Sequence, residues 1–185
     1  MAMKFYTNSE QAVYALDDEQ YFSFLPSGCR EITEQEFEEI KDKRIHHDFV
    51  DGEWIWNDGR HKKEKCDAVM SILSEKLNSG YYHLGKIFQI DPIAQDAITK
   101  QDAYATKSEK NINKYPWDDD HNTWESLENE SVYFATPQEF QDFSQIIFNH
   151  CNLLYIVARN HKKTIRGMES FEDVKNFNIE SGWTR

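Results

Sequence analysis

The stretch Asn78-Ser79-Gly80-Tyr81-Tyr82-His83-Leu84-Gly85-Lys86-Ile87-Phe88-Gln89-Ile90-Asp91-Pro92 decides the fold. Upstream of it, from Lys62, apolar residues recur at Cys66, Val69, Met70, Ile72, Leu73 and Leu77. Most fall on one face at a helical period of about 3.6 residues. Gly80 ends that helix, since a glycine takes the left-handed conformation without a Cβ clash. Aromatic and branched residues then flank Gly85, the pattern of a short hairpin turning or bulging at that glycine. Asp91 supplies a capping carboxylate and Pro92 fits the first position of a second helix. Ile93, Ala94, Ala97 and Ile98 continue as its apolar face, to about Ala105. Residues 62–105 therefore read as helix, hairpin, helix, a structural unit containing no arrangement that a reaction would require.

Working outward, residues 46–57 predict another hairpin, with His47–Val50 and Glu53–Trp56 flanking the two-residue turn Asp51-Gly52. Asn57-Asp58-Gly59 gives a helix start. Further upstream, Met3–Tyr6, Ala12–Leu16 and Tyr21–Leu25 read as three short strands, ended by Pro26-Ser27-Gly28. Thr33 and Glu36 form a capping box for a short helix to about Lys43 that buries Phe37 and Ile40. Downstream, Thr106–Asn113 reads as a polar loop, Ser131–Ala135 as a strand, and Thr136-Pro137-Gln138-Glu139 as the start of a long helix reaching Arg166. Its apolar positions Phe140, Phe143, Ile147, Cys151, Leu154, Ala158 and Ile165 are widened by Ile146, Phe148, Leu153, Tyr155 and Val157. The expectation is burial on more than one side, in a core or against another subunit. Ser170 caps a last short helix, Phe171–Phe177. The fold class is α+β: a small N-terminal β unit with a short helix (residues 1–45), then helices packed with short antiparallel hairpins and a long C-terminal helix (residues 46–185).

The run Lys65-Cys66-Asp67-Ala68, Leu77, Gly80, Gly85-Lys86-Ile87-Phe88-Gln89-Ile90-Asp91 and Ile98 resembles a domain of unknown function common in bacteriophage tail-fibre and tail-fibre-assembly proteins. That family shows a helix, a glycine, a hairpin with a Gly-Lys/His-x-Phe-x-x-Asp element and a second helix. A tryptophan-bearing strand region, another strand and a long C-terminal helix follow. The likeness covers about residues 46–185, and the Ile32-Thr33-Glu34-Gln35-Glu36 helix after short strands is similar to the beginning of tail-fibre assembly proteins. The resemblance implies a non-enzymatic, tail-associated structural or assembly protein: an assembly factor, adaptor or fibre-tip component. Its partner would be a phage tail or fibre protein, or a second copy. Its place would be the host-cell cytoplasm during assembly, or the virion tail. The family carries no established catalytic residues, so none is transferred.

Net charge bounds the alternatives. With 21 Lys+Arg against 33 Asp+Glu, the chain carries −12. Repulsion from phosphates argues against direct nucleic-acid binding, and leaves open a phage-encoded inhibitor that mimics nucleic acid. Ordinary acidic solubility is the plainer reading, because the acids are scattered. The N-terminus has no apolar signal segment, and no run approaches the roughly 18 apolar residues of a membrane span. Cys29, Cys66 and Cys151 contain no CxxC and fit a reduced compartment.

Few residues offer chemistry. Asp118, Asp119, Asp120 and His121 are the weak candidates for a metal site, on which a small metal-dependent enzyme would be built. A solvated acidic turn is the simpler reading, and no metal or cofactor is expected. His46 and His47, as strand neighbours, point to opposite faces. His150 and His161 stand eleven residues, about 16 Å, apart on one helix and cannot share an ion. Cys151 reads as a core residue. Lys162 and Lys163 complement the negative end of the helix dipole. Trp54, Trp56, Trp117, Trp124 and Trp183 are the candidate partner-binding anchors, since tryptophans anchor interfaces as well as cores.

Overall fold

Thr33 and Glu36 cap each other's backbone, as their spacing predicts: the Thr33 hydroxyl accepts from the Glu36 amide at 3.1 Å, and Glu36 accepts from the Thr33 amide at 2.8 Å. The helix they open, α1 (Glu34–His46), belongs to a computed structural model describing residues 3–16 and 25–183. The architecture is α+β, with short antiparallel strand pairs and five helices among the described residues. The chain divides into two compact units. The described residues up to Lys65, together with Met168–Asn176, form one; Cys66–Gly167 and the described residues from Phe177 onward form the other. The division differs from the expected boundary after residue 45. The reason is local: α1 ends at His46 and the next strand begins at His47, so no linker separates them.

In the first unit, β1 (Lys4–Thr7) pairs antiparallel with β2 (Val13–Leu16) and with β3 (Arg30–Ile32), in the order β2-β1-β3. The Asn8 side chain builds the first turn by accepting from the amides of Glu10 and Ala12 at 3.0 and 2.9 Å. The strand expected at Tyr21–Leu25 lies outside the described residues apart from Leu25. β3 was not anticipated, because three residues are too few to show alternation. Phe37 and Ile40 are only half-buried. α1 meets the small sheet through Phe37 on Phe5, with ring centroids 4.7 Å apart, and the Arg44 guanidinium donates to the Glu10 carbonyl at 3.3 Å. β4 (His47–Val50) and β5 (Glu53–Trp56) form the expected hairpin, with Asp51 and Gly52 both at positive φ. α2 (Asp58–Asn78) follows, capped by the Asn57 side chain, which accepts from the Arg60 amide at 2.9 Å. The short helix α5 (Phe171–Asn176) also belongs to this unit.

In the second unit, α2 buries Cys66, Val69, Leu73 and Leu77 as expected, but Met70 is 41% exposed. β6 (Tyr81–His83) and β7 (Lys86–Phe88) pair through a tight turn at Leu84 and Gly85. Asp91 caps α3 (Pro92–Lys110) by accepting from the amides of Ile93 and Ala94. α3 runs through the expected polar loop, because its buried face, Ala94, Ile98, Ala105 and Ser108, keeps a helical period to Ser108. Ile93 is 82% exposed, since it lies off that face. β8 (Thr123–Glu125) pairs with β9 (Ser131–Tyr133), and the Leu127 amide donates to the Ile87 carbonyl at 2.8 Å, tying this hairpin to β7. α4 (Pro137–Arg166) reaches its expected end and packs along α3. It buries one broad face. Of the positions expected to widen it, Ile146, Phe148 and Val157 are half-buried, while Leu153 and Tyr155 are exposed, as is Ile156.

Gly80 is the glycine this unit depends on. At φ +79°, a Cβ there would lie 2.8 Å from the Phe88 carbonyl oxygen, 2.6 Å from Ile87 Cγ2 and 2.8 Å from Leu127 Cδ1. The backbone oxygen has no room to move. Gly85, at φ +78°, would meet nothing within 4 Å. Gly80→Ala is therefore expected to destabilise by about 2 kcal/mol or more, and Gly85→Ala by about 1 kcal/mol from backbone strain alone. Urea melts of both variants check the difference; equal losses would remove the steric argument.

Candidate docking groove

α4 carries Tyr155, Arg159, Lys162 and Arg166 at i, i+4, i+7 and i+11, so they form one straight row along the helix. Ala158 lies beside the row on the buried side and Lys163 on the other. Across from them α2 contributes Met70 and Leu73. Together these side chains line an open groove of about 540 Å³ in the second unit. Its floor is apolar: Leu73 and Ala158 are each 3% exposed, while Met70 and the Tyr155 ring remain accessible. Its rim carries four cations and, among the described residues, no carboxylate, in a chain of net charge −12. The Lys162 ammonium reaches across to the Met70 sulfur at 3.6 Å. Among the described residues no ion pair engages Arg159, Lys163 or Arg166. Such a surface suits a ligand that presents apolar groups along one line and anionic groups beside them. The dipole reading of Lys162 and Lys163 explains their place near the end of α4, but not why the opposite wall is apolar. This row was not anticipated, although helical spacing was the signal that could have shown it; no signal in the sequence points to the wall from α2.

The five candidate anchor tryptophans are all half-buried and make contacts within their own units. Trp117 and Trp124 flank Phe140, with centroids 6.0 and 5.8 Å away, and the Trp117 indole donates to the Phe134 carbonyl at 2.9 Å. Trp183 lies 5.8 Å from His161, and its indole donates to the Ile179 carbonyl. Trp54 meets Phe49 edge-on and lines a shallow cleft with Phe171. Trp56 faces His61, with the Lys62 ammonium 5.5 Å from its ring.

Asp118, Asp119, Asp120 and His121 form a turn closed by the His121 and Asn122 amides, which donate to the Asp118 carbonyl at 2.8 and 2.9 Å. Asp118 accepts from the His121 ring at 2.8 Å, and that contact holds its carboxyl below the usual range. Asp119 accepts from Asn122. His121 stacks on Tyr104 at 3.8 Å, and its carbonyl accepts from Gln101. Among the described residues no three or more His, Cys, Asp or Glu side chains converge as a metal site. Adding Mg²⁺, Ca²⁺ or EDTA is expected to leave the thermal midpoint unchanged. A rise with one ion that disappears in Asp119→Ala would place a cation in this turn.

The histidines depart most from expectation. His46 ends α1 instead of sharing a strand with His47. Its ring lies 4.0 Å from that of His61, which is only 5% exposed, and Phe171 packs on His46, His47 and His61. His46 Nδ1 sits 3.3 Å from Glu64, out of line for a hydrogen bond, and the buried Nδ1 of His61 and Nε1 of Trp56 have no hydrogen-bond partner among the described residues. His61 escapes sequence reasoning because it precedes the apolar stripe of α2. Burial first, then His46, pushes its pKa down; Glu64 opposes this and Lys65 and His47 add to it. Burial also lowers His150, packed on Tyr81 at 4.2 Å, and raises the Cys151 thiol to about 11. Cys151 is thus the inert core residue expected.

The chain matches no family model, no curated protein and no solved structure. Among the described residues no helix is long and apolar enough to cross a membrane.

The lowered histidines fix the sign of the acid response. As pH falls from the ordinary histidine value of 6.5, the unfolded chain takes up protons first. The stabilisation is complete above that value and is lost as pH falls through the folded-state values. Thermal midpoints are expected to fall between pH 7 and pH 5, with about 2–4 °C of fall marking each kcal/mol lost. His61→Phe should flatten the slope; an unchanged slope in that variant would assign the acid response to other groups.

Proposed function

We propose that this chain is a protein-binding module acting by contact and not by turnover. Within that reading it is a phage tail-associated assembly factor, adaptor or fibre-tip component. The observation that carries the binding reading is the groove between α2 and α4, apolar in its floor and cationic on its rim. Four cations, none of them held in an ion pair among the described residues, stand beside accessible apolar side chains, and a protein surface covers both kinds of group at once. Leu153 and Ile156, exposed near the middle of α4, extend the apolar area available on the same helix. The narrower setting is supported by the order of elements behind the resemblance to tail-fibre proteins. Under it, the chain works in the host-cell cytoplasm during assembly and either leaves or remains in the virion tail.

Size-exclusion chromatography with light scattering tests this, on the chain alone and co-expressed with the proteins encoded beside it. A stoichiometric complex with a tail or fibre protein is the expected outcome. A monomer that joins none of them would sink the tail-assembly reading.

A further inference from the structure

We infer that the groove between α2 and α4 receives an acidic amphipathic helix of a partner protein. The inference rests on the protein-binding reading above and names its ligand. The row from Tyr155 to Arg166 spans eleven residues, about 16 Å at the helical rise, which matches roughly three turns of a helix laid alongside. Arg159, Lys162 or Lys163, and Arg166 repeat at intervals of three or four residues. Glutamates on one edge of a ligand helix repeat at the same intervals. Beside them the accessible parts of Met70 and Tyr155 offer a narrow apolar landing, enough for a single line of side chains at i, i+3 or i+4, and i+7.

Charge and shape select this occupant over others. The groove is open along its length and its floor is already nearly covered, so an acyl chain would lie half in water. A helix turns its own polar back to solvent. A duplex long enough to be gripped would also meet the acidic remainder of a −12 chain, whereas a helix of three turns meets only the groove. The four cations stand together without a lining carboxylate. An anionic partner relieves their mutual repulsion, so complementarity acts on partner choice and association rate.

Fluorescence anisotropy on the full chain tests the assignment. The probe is a labelled helical peptide of about four turns, with leucines on one face and glutamates on its flanks. A matched peptide carries lysine in place of glutamate. The acidic peptide is expected to bind and the lysine peptide not to. Arg159→Glu with Lys163→Glu should weaken binding about tenfold or more, and raised salt should weaken it progressively. Met70→Glu, at an exposed position that leaves the floor intact, should weaken it independently; Lys110→Glu, off the groove, should not. Equal binding of both peptides, or binding of neither, overturns the inference. So does saturable binding of oleate or duplex DNA that Met70→Glu abolishes while the peptide stays unbound, or a dimer of this chain that the double variant dissolves. If a co-expressed partner complex survives Arg159→Glu with Lys163→Glu, the groove assignment fails and the protein-binding reading stands. If wild type forms no complex at all, the broader reading fails first.

Discussion

Close approach of α3 to α4 is the constraint on which the second unit depends. The side chains that α3 buries are mostly small: Ala94, Ala105 and Ser108, with Ile98 the one large residue. Helix axes come as near as the side chains between them allow, so small residues on α3 let α4 keep large ones. Phe140, Phe143, Ile147 and Leu154 are all essentially inaccessible to water. Each contributes about 1.5–3 kcal/mol by its burial. Polar contacts also cross the seam: the Ser144 hydroxyl donates to Asp102 at 2.5 Å, and the Gln141 amide donates to Thr106 at 3.4 Å and to Glu109 at 3.5 Å. Ser108 is enclosed with its hydroxyl unpartnered, at a cost of about 1–3 kcal/mol. A larger apolar residue there would remove that cost and push the helices apart. Phe140 and Phe143 also hold the strands, since Phe134 and Phe88 pack against them.

A helix fixed so firmly on one side has little freedom on the other. Thirty residues of α4 share one axis, so the direction of Tyr155 and Arg159 is set by the burial of Leu154 and Ala158 beside them. The groove row is therefore pre-arranged by the core and does not depend on a mobile loop. Preorganisation of this kind reduces the ordering cost of a complex. Only the long cation side chains remain to be fixed, and Lys162 is already leaning on Met70.

Local rules in the sequence were strong where one residue decides the outcome. Thr33, Asp91 and Thr136 cap their helices as their neighbours predict, and Asp51-Gly52 and Gly85 turn their hairpins. Periodicity located the buried face of α4 but overstated its width, because Leu153 and Tyr155 are apolar or aromatic without being covered. It ended α3 too early for the opposite reason: Ala105 and Ser108 are buried without being strongly apolar. Contacts between segments distant in sequence were illegible. His46, His61 and Phe171 meet only because α1, the first turns of α2 and α5 fold into one unit, and no spacing rule connects residues 46, 61 and 171. The groove divides the same way. Its row follows from helical geometry on α4, while the presence of Met70 and Leu73 opposite it is a fact of tertiary structure.

The placement of the cations answers two demands at once. Lys163 and Arg166 lie in the last turn of α4, where positive charge favours the partial negative charge of the helix end. That effect fades within about one turn, and Arg159 lies nearly two turns before the end. Its position on the same row as Lys162 and Arg166 therefore needs another cause. Stability of the isolated chain does not provide one: like charges at i, i+3 and i+4 on a helix repel by a few tenths of a kcal/mol each, and no lining carboxylate offsets them. The rest of the surface carries an excess of acids that would serve as partners at little cost. Placing four cations along an apolar groove, in a chain otherwise so acidic, is understandable as recognition: it gives an acidic ligand a place to settle while the acidic excess elsewhere repels it.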